Sequence, residues 1–480
     1  MDRRAMLRLV GAVGAGALAS GRAWPVAAAS PAIPSVSPSP SFGAPGALAS
    51  GARVVAWCRT SWSADPWTLG SYSFLPVGAT PRDRRALAAP IAERLFWAGE
   101  AVDADDPSTV HGALASGRRA AGEVAAVAGE GERIGVIGAG AAGLAAARDL
   151  ADAGWTVTVL EARDRIGGRI ETIHDPAWGI PVELGASWVH APRSSGLLDR
   201  MDALDVATTP FDWDRLLLVD QAGRPVTDPW RRLAPGSRAV RQAVRWADAR
   251  SRDRSLAAAI TGSGSGEGVE PDVLAHALDV EIASEYGASA EDLSAWWGQE
   301  EGHSGPDHLV LGGYDRLSAA QADGLDVRLA WPVERVAWGS DGVDLVPAGV
   351  GADGASAPER FDRVIVSVPL GALKAGHPGF EPELPAGHRG AIERLGMGLL
   401  DKLWLRFDRP VREGPELVWS RLAPAGTPFT EWYDLWPLTG EPVLLGLVGG
   451  RTAQVVAAMS DDAVLRLALA SLDGILAADG

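Results

Sequence analysis

The residues Gly138-Ala139-Gly140-Ala141-Ala142-Gly143 lie between two apolar runs, Ile134 to Ile137 and Val157 to Leu160, and the second run ends on Glu161. Glycines at the first, third and sixth positions of such a turn have separate tasks beside a pyrophosphate. Gly138 permits the tight turn, Gly140 lets phosphate approach the backbone next to Ala139, and Gly143 lets a helix pack closely on the strand. The helix that starts here presents unpaired N–H groups and the positive end of its dipole to the anion. Glu161 follows Gly138 by 23 residues and is spaced to accept from two ribose hydroxyls. A dinucleotide with an unphosphorylated ribose, FAD or NAD, is therefore expected. Arg163 and Gly167-Gly168-Arg169 form a second phosphate-contact set, two glycines opening the backbone beside an arginine.

A second kind of chemistry is signalled by scarcity. Of 44 basic residues only Lys374 and Lys402 are lysines. An ammonium is compact and its pKa can shift, whereas a guanidinium stays charged. A lysine in so arginine-rich a chain is thus a candidate for work arginine cannot do. Lys402 sits in Leu400-Asp401-Lys402-Leu403-Trp404-Leu405-Arg406-Phe407, an alternating strand pattern. Leu403, Leu405 and Phe407 share one face, and Lys402, Trp404 and Arg406 share the other. Taken alone, that pattern equally describes a solvent-facing strand lysine.

Around these residues, the spacing predicts a strand over 133–137, a helix to about Ala153, and a strand from Trp155 to Leu160. The chain has 480 residues, enough for two or three domains, and 47% hydrophobic with 22% charged residues excludes wholesale disorder. A net charge of −17 argues against nucleic-acid or acidic-membrane partners. The single cysteine, Cys58, excludes internal disulfides and a cysteine-rich metal site, and reads as a small buried apolar residue. Beyond the N-terminus no apolar run approaches the roughly 18 residues of a membrane span. Residues 1–29 combine Asp2-Arg3-Arg4, a mild apolar stretch and Ala27-Ala28-Ala29, which reads as an export signal of the twin-arginine type, with a periplasmic or extracellular destination. Residues 30–51 are a Pro/Ser/Gly/Ala-rich linker.

The stretch Val159-Leu160-Glu161-Ala162-Arg163-Asp164-Arg165-Ile166-Gly167-Gly168-Arg169 closely resembles the flavin-containing amine oxidase family, which includes monoamine, polyamine and amino-acid oxidases. Further resemblances follow in order: Glu183-Leu184-Gly185-Ala186-Ser187-Trp188-Val189-His190, Leu311-Gly312-Gly313-Tyr314, Val333, Val364 to Leu373, and Gly396-Met397-Gly398 with Lys402. The resemblance implies FAD rather than NAD. It also reveals an unusual order. The pieces that normally close such a chain come first here: Trp62, Asp65-Pro66-Trp67, Gly70-Ser71-Tyr72-Ser73, Phe96-Trp97-Ala98-Gly99-Glu100 and Thr109-Val110-His111-Gly112-Ala113. Each appears once, which reads as a circular permutation. That predicts residues near Gly474 lying close to Ala52, with Gly129-Glu130-Gly131 as the new connection.

The resemblance implies roles residue by residue. Lys402 holds a water against flavin N5, and burial beside a flavin would lower its pKa. Tyr72 stands at the substrate face of the flavin. Ser71 occupies the place of the cysteine that monoamine oxidases link to the flavin, so FAD is expected to be noncovalent. The second aromatic of their cage aligns with Thr109, which argues against a close monoamine oxidase equivalent. Trp188 stands where amino-acid oxidases place an arginine, which disfavours amino acids. Trp188-Val189-His190 resembles polyamine oxidases, with His190 near the amine. Gly99, Glu100, Thr109 and Val110 are implied FAD contacts, Glu100 through its carboxylate, as are Ser187, Trp188 and Val333. His111 reads as structural, Trp296-Trp297 and Trp432-Tyr433 as core, and Glu300-Glu301 as a solvated loop.

The expected fold is α/β, with a Rossmann-like FAD domain and a mixed helix/sheet substrate domain in permuted order. Residues 52–127, 131–195 and 306–371 are assigned to the FAD domain, the middle segment being its dinucleotide-binding βαβ unit. Residues 196–305 are assigned to a helical substrate domain, and 372–480 to its sheet and closing helix. The expected reaction is hydride transfer from the carbon beside an amine nitrogen, with O₂ as acceptor, giving an aldehyde and H₂O₂; a polyamine-type substrate is favoured. A C–C desaturase of the same fold and a secreted flavin-binding protein without turnover are the alternatives.

Overall fold

Five short strands form a parallel sheet in the order Asp326–Arg328, Thr156–Leu160, Arg133–Ile137, Arg363–Val366, Leu95–Trp97. Most of their residues are apolar, with the charged ones at strand ends, because helices and loops cover both faces, as parallel strands require. The computed structural model describes residues 46–190, 195–300, 306–348 and 357–477. The expected export signal, and most of the linker after it, lie outside the described residues.

Local sequence explains this sheet's geometry. The strand Arg133–Ile137 runs directly into the glycine turn and the helix Ala141–Asp152. That helix packs against Val110–Ala125, and the approach is backbone to backbone: a Cβ on Gly117 would lie 2.2 Å from the Ala142 carbonyl oxygen. The alanine-rich faces of both helices make this possible, and Leu144, Leu150, Val136 and Ile365 fill the core around them.

A second sheet of six strands has the order Val54–Arg59, Leu400–Phe407, Val443–Gly449, Glu431–Asp434, Val418–Arg421, Leu216–Val219. Strand alternation divides it cleanly. Leu403, Leu405 and Phe407 face a core built with the helix Asp461–Leu476, while Trp404, Tyr433 and Leu445 belong to the opposite core. Lys402 shares the side of Trp404, and both faces of its strand are covered, so it is 5% exposed and not a solvent-facing lysine.

Two segment boundaries differ from the expected ones. Residues 52–127 are split: Leu95–Trp97 is the edge of the parallel sheet, but Val54–Arg59 pairs antiparallel with Leu400–Phe407 in the six-stranded sheet. The alternation of Val54, Ala56 and Cys58 suits either sheet, so sequence could not choose. Residues after 372 do not pass at once to the substrate side. Leu384, Ala391 and Leu395, on and beside the helix Ala386–Arg394, pack with Leu95, Trp97 and Val364. The two ends of the described chain touch: Ala49 N–H donates to Asp473 at 2.7 Å. Residues 196–300 are mainly helical, with Pro229–Asp248 the longest helix, and widen into π-type turns over Ala277–Ala283. Among the described residues no helix is long and apolar enough to cross a membrane.

Candidate active site

The open end of the parallel sheet, the six-stranded sheet and the helical segment together enclose a cavity of about 1280 Å³. Every expected cofactor and substrate residue except Ala139 and Gly143 lines it, and those two are buried just behind the glycine turn.

The dinucleotide wall is built as its glycines require. Gly138 has φ +100°, a region side chains avoid. A Cβ on Gly143 would lie 2.0 Å from the Gly138 carbonyl oxygen, whereas a Cβ on Gly140 would meet nothing closer than 3.9 Å. Gly143 is therefore closed by protein, and Gly140 presents bare backbone to the cavity. The Glu161 carboxylate accepts from Ala139 N–H at 2.6 Å and Arg163 N–H at 2.9 Å, which fixes it at the strand end. Burial pushes its pKa up, and the two backbone donors oppose that. A second helix N-terminus, at Val110, reaches the same cavity, with the Thr109 hydroxyl accepting from Gly112 N–H. Two helix starts and an open glycine backbone fit a dinucleotide pyrophosphate.

Charged partners refine three expectations. Arg163 pairs with Asp65 at 2.8 Å, so the early segment braces the glycine-rich one. The Glu100 carboxylate, expected to bind the cofactor directly, is saturated by protein: it accepts from Arg169 at 2.8 Å, the Ser73 hydroxyl at 2.6 Å and Ser108 N–H at 3.1 Å. Burial pushes its pKa up, but Arg169 and Arg84 outweigh that and hold it below the usual range. Glu300 is not a solvated loop residue, because it receives the fully buried Arg84 through two hydrogen bonds, 2.7 and 2.5 Å. Arg84 is 216 residues away in sequence, so no local signal could have paired them.

Lys402 is the centre of the opposite wall. Its Nζ donates to the Glu183 carbonyl oxygen at 3.1 Å and also contacts the Gly185 carbonyl oxygen and Ser187 Oγ. Burial drives its pKa well below that of an ordinary lysine; Glu183 opposes the shift, and burial wins. Glu183 is itself pushed up by burial, although Thr172 and the Tyr314 N–H hold its carboxylate at 2.7 and 2.8 Å. Lys402 Nζ donates to Ser187 Oγ as well as to the two carbonyls, and the Ser187 hydroxyl donates on to the Glu183 carbonyl oxygen at 3.5 Å. Tyr72 donates to the Ser284 carbonyl oxygen at 3.0 Å, and burial plus the charges of Glu285 and Glu100 keep its phenol protonated.

Beside Lys402 lies an aromatic chamber. Trp188 stacks on Trp213 at 6.2 Å between ring centres, and Tyr433 stands edge-on to both. His190 Nδ1 is 2.8 Å from Asp307, whose other oxygen accepts from Trp213 Nε1–H at 3.2 Å. The Trp188 indole N–H is buried without a partner among the described residues. Trp432 and Tyr433, expected as core, are both core but on opposite sides of the sheet, and Tyr433 also lines the cavity. Trp296 and Trp297, also expected as core, line it too. Sequence reasoning missed Asp307, Trp213, Glu281 and Glu285, which carry no motif. Only the closely spaced Phe211 and Trp213 hinted at an aromatic wall.

The family model of flavin-containing amine oxidoreductases matches residues 42–125 and 141–480. Polyamine oxidase 4 of Oryza sativa subsp. japonica is 32% identical over 361 residues, 71% of this chain and 72% of that protein. Polyamine oxidase 2 of Arabidopsis thaliana is 32% identical over 369 residues, 71% of this chain and 72% of that one. Among solved structures, wild-type putrescine oxidase bound to putrescine superposes with a TM-score of 0.54 at 22% identity, covering 72% of this chain and 81% of that one. Cyclohexylamine oxidase from Brevibacterium oxydans IH-35A gives 0.56 at 22%, over 72% and 82%. These last two likenesses are of fold.

Proposed function

This chain belongs to the flavin-containing amine oxidoreductases, and from that premise we propose that it is an FAD-dependent oxidase of amines carrying a second nitrogen, the polyamine type. The observation that carries the reading is Lys402, a buried amine whose pKa burial lowers to about 7, in the same cavity as the dinucleotide cradle. When bound, FAD supplies the acceptor for the hydride leaving the carbon beside the amine nitrogen and is returned to its oxidised form by O₂, so an imine, then an aldehyde, and H₂O₂ result.

The residues of this chain do the rest. Gly138 to Gly143, Glu161 and the helix starting at Val110 would hold the dinucleotide. Ser71, in the position of a covalent link elsewhere in the family, has its hydroxyl bonded to the Leu400 backbone, so the cofactor is held noncovalently. Lys402, its pKa lowered to about 7 by burial, can take up or return a proton at Nζ, which donates to Ser187 Oγ. Tyr72, Trp188, Trp213 and Tyr433 exclude water and shape an apolar slot. The helical wall carries both signs, Arg241 and Arg245 beside Glu281 and Glu285. Glu285 is near enough to Tyr72 to raise its pKa, which supports a second ammonium lying close to the reacting one.

The test is the visible spectrum of the purified protein, followed anaerobically as amines are added singly: spermine, acetylated spermidine, putrescine, aryl-alkylamines and amino acids. Bleaching by the multiply charged amines is expected. Bleaching by aryl-alkylamines alone would remove the polyamine assignment, and bleaching by none would remove the amine chemistry.

We further propose that the segment order is a circular permutation. It is supported by the contact between Ala49 and Asp473 and by Leu95–Trp97 completing the parallel sheet. A rearranged gene placing residues 46–128 after residue 477 should yield a yellow, folded protein; a colourless aggregate would count against it. Export by the twin-arginine route is proposed from Arg3-Arg4 and the following apolar stretch, and is tested by localising a version with both arginines replaced by lysine.

A further inference from the structure

We propose that Asp307 is a positioning residue that makes His190 the acceptor for the substrate's ammonium proton. The inference rests on the amine-oxidising reading. Hydride can leave the carbon only when the neighbouring nitrogen has a free lone pair, yet an aliphatic amine, like a lysine with its ordinary pKa of about 10.4, arrives protonated at neutral pH. A base beside the bound amine can accept that proton without the substrate leaving the cavity.

The geometry points to one. His190 follows Trp188 and Val189 in the aromatic chamber, with its side chain 30% exposed, while Asp307 behind it is 7% exposed. The Asp307 carboxylate faces Nδ1 at 2.8 Å, and a carboxylate there can only accept, so Nδ1 carries the hydrogen. In a neutral imidazole the remaining nitrogen, Nε2, then bears the lone pair, and it is left to the cavity that His190 lines. Trp213 Nε1–H occupies the second carboxylate oxygen at 3.2 Å. It prevents the carboxylate from turning away and ties the acceptor to the aromatic wall. In the step itself the ammonium N–H bond breaks, the electron pair stays on the amine nitrogen, and the proton forms a new bond to Nε2. The imidazolium so made lies against Asp307, which stabilises it as a buried carboxylate stabilises a catalytic histidine. Asp307 stands far from His190 in sequence, 117 residues on, and touches no reacting atom.

The test is a double-variant cycle read by anaerobic flavin reduction at saturating amine, near neutral pH. Both H190Q and D307N should keep bound FAD and slow reduction by about 10²-fold, the lower end for loss of acid–base assistance. The double variant should be no slower than H190Q alone, because Asp307 acts only through His190. Losses that multiply, or a D307N rate equal to the parent's, would overturn the proposal. Should D307N fail to fold, ¹⁵N-histidine NMR of the parent protein, with the His190 signal assigned from H190Q, decides the same point. Nδ1–H is expected, and an Nε2–H tautomer would overturn it. This measurement needs no turnover, so it stands apart from the amine assignment: no reduction by any amine would sink that reading alone.

Discussion

The two lysines of this chain make nearly the same contacts to opposite ends. Lys374 Nζ donates to the carbonyls of Ile392, Glu393 and Leu395 at 2.8–2.9 Å, closing the C-terminus of the helix Ala386–Arg394. Lys402 likewise meets three oxygens, two of them carbonyls. Lys374 is exposed, and although partial burial lowers its pKa too, the last carbonyls of a helix favour a cation through the dipole. Lys402 is walled in on both faces of a sheet, where burial disfavours the cation. Three acceptors around an amine therefore do not define its charge; access to water does. One lysine caps a helix end, and the other has its pKa pulled down to about 7 in the cavity.

The largest expected effect breaks the pair apart. Replacing Lys402 with Met should slow flavin reduction or reoxidation by about 10²-fold or more with FAD still bound, and Lys402→Arg should not rescue it, because a guanidinium keeps its charge. Stopped-flow measurement of both half-reactions checks this, and unchanged rates in both would take Lys402 out of the mechanism. A middle-sized effect sharpens the electrostatics. Glu183 favours the charged form of Lys402, so Glu183→Gln should let the amine stay neutral to lower pH. The acid limb of the reduction rate at saturating amine should then move down by about one unit. A limb that stays in place would mean that another group sets it. The smallest effect belongs to the cap: Lys374→Met should cost about 1 kcal/mol in denaturant unfolding and leave turnover within about twofold of the parent. A large loss of activity would show that the cap reaches the site.

The same contrast explains what could be read from the sequence. The stretch from Arg133 to Glu161 was legible, with its strand, turn and helix, because each glycine's task is set by neighbours a few residues away. Lys402 was legible for a different reason: its rarity marked it and the strand pattern placed it. Its burial was implied by the family resemblance and not by the pattern, since alternation cannot say whether a face meets water or another layer. Asp307, Trp213 and Glu285 lay beyond reading. They are ordinary residues that become a site only when segments far apart in sequence meet, as Asp307 meets Trp213 across 94 residues and His190 across 117. Arg84 and Glu300 failed for the same reason, and Val54–Arg59 because its pattern fits either sheet.

The edge strand Leu95–Trp97 has a consequence for how the protein is made. In the sheet it pairs with Arg363–Val366, and Val54–Arg59 waits likewise for Leu400–Phe407. A ribosome adds roughly 5–20 residues per second, so both strands leave it with their partners still untranslated for on the order of tens of seconds. During that time Leu95 and Trp97 on one face, and Phe96 on the other, have no sheet to join. This chain therefore depends on whatever shields nascent strands far more than one in which those strands emerge last and find their places already built.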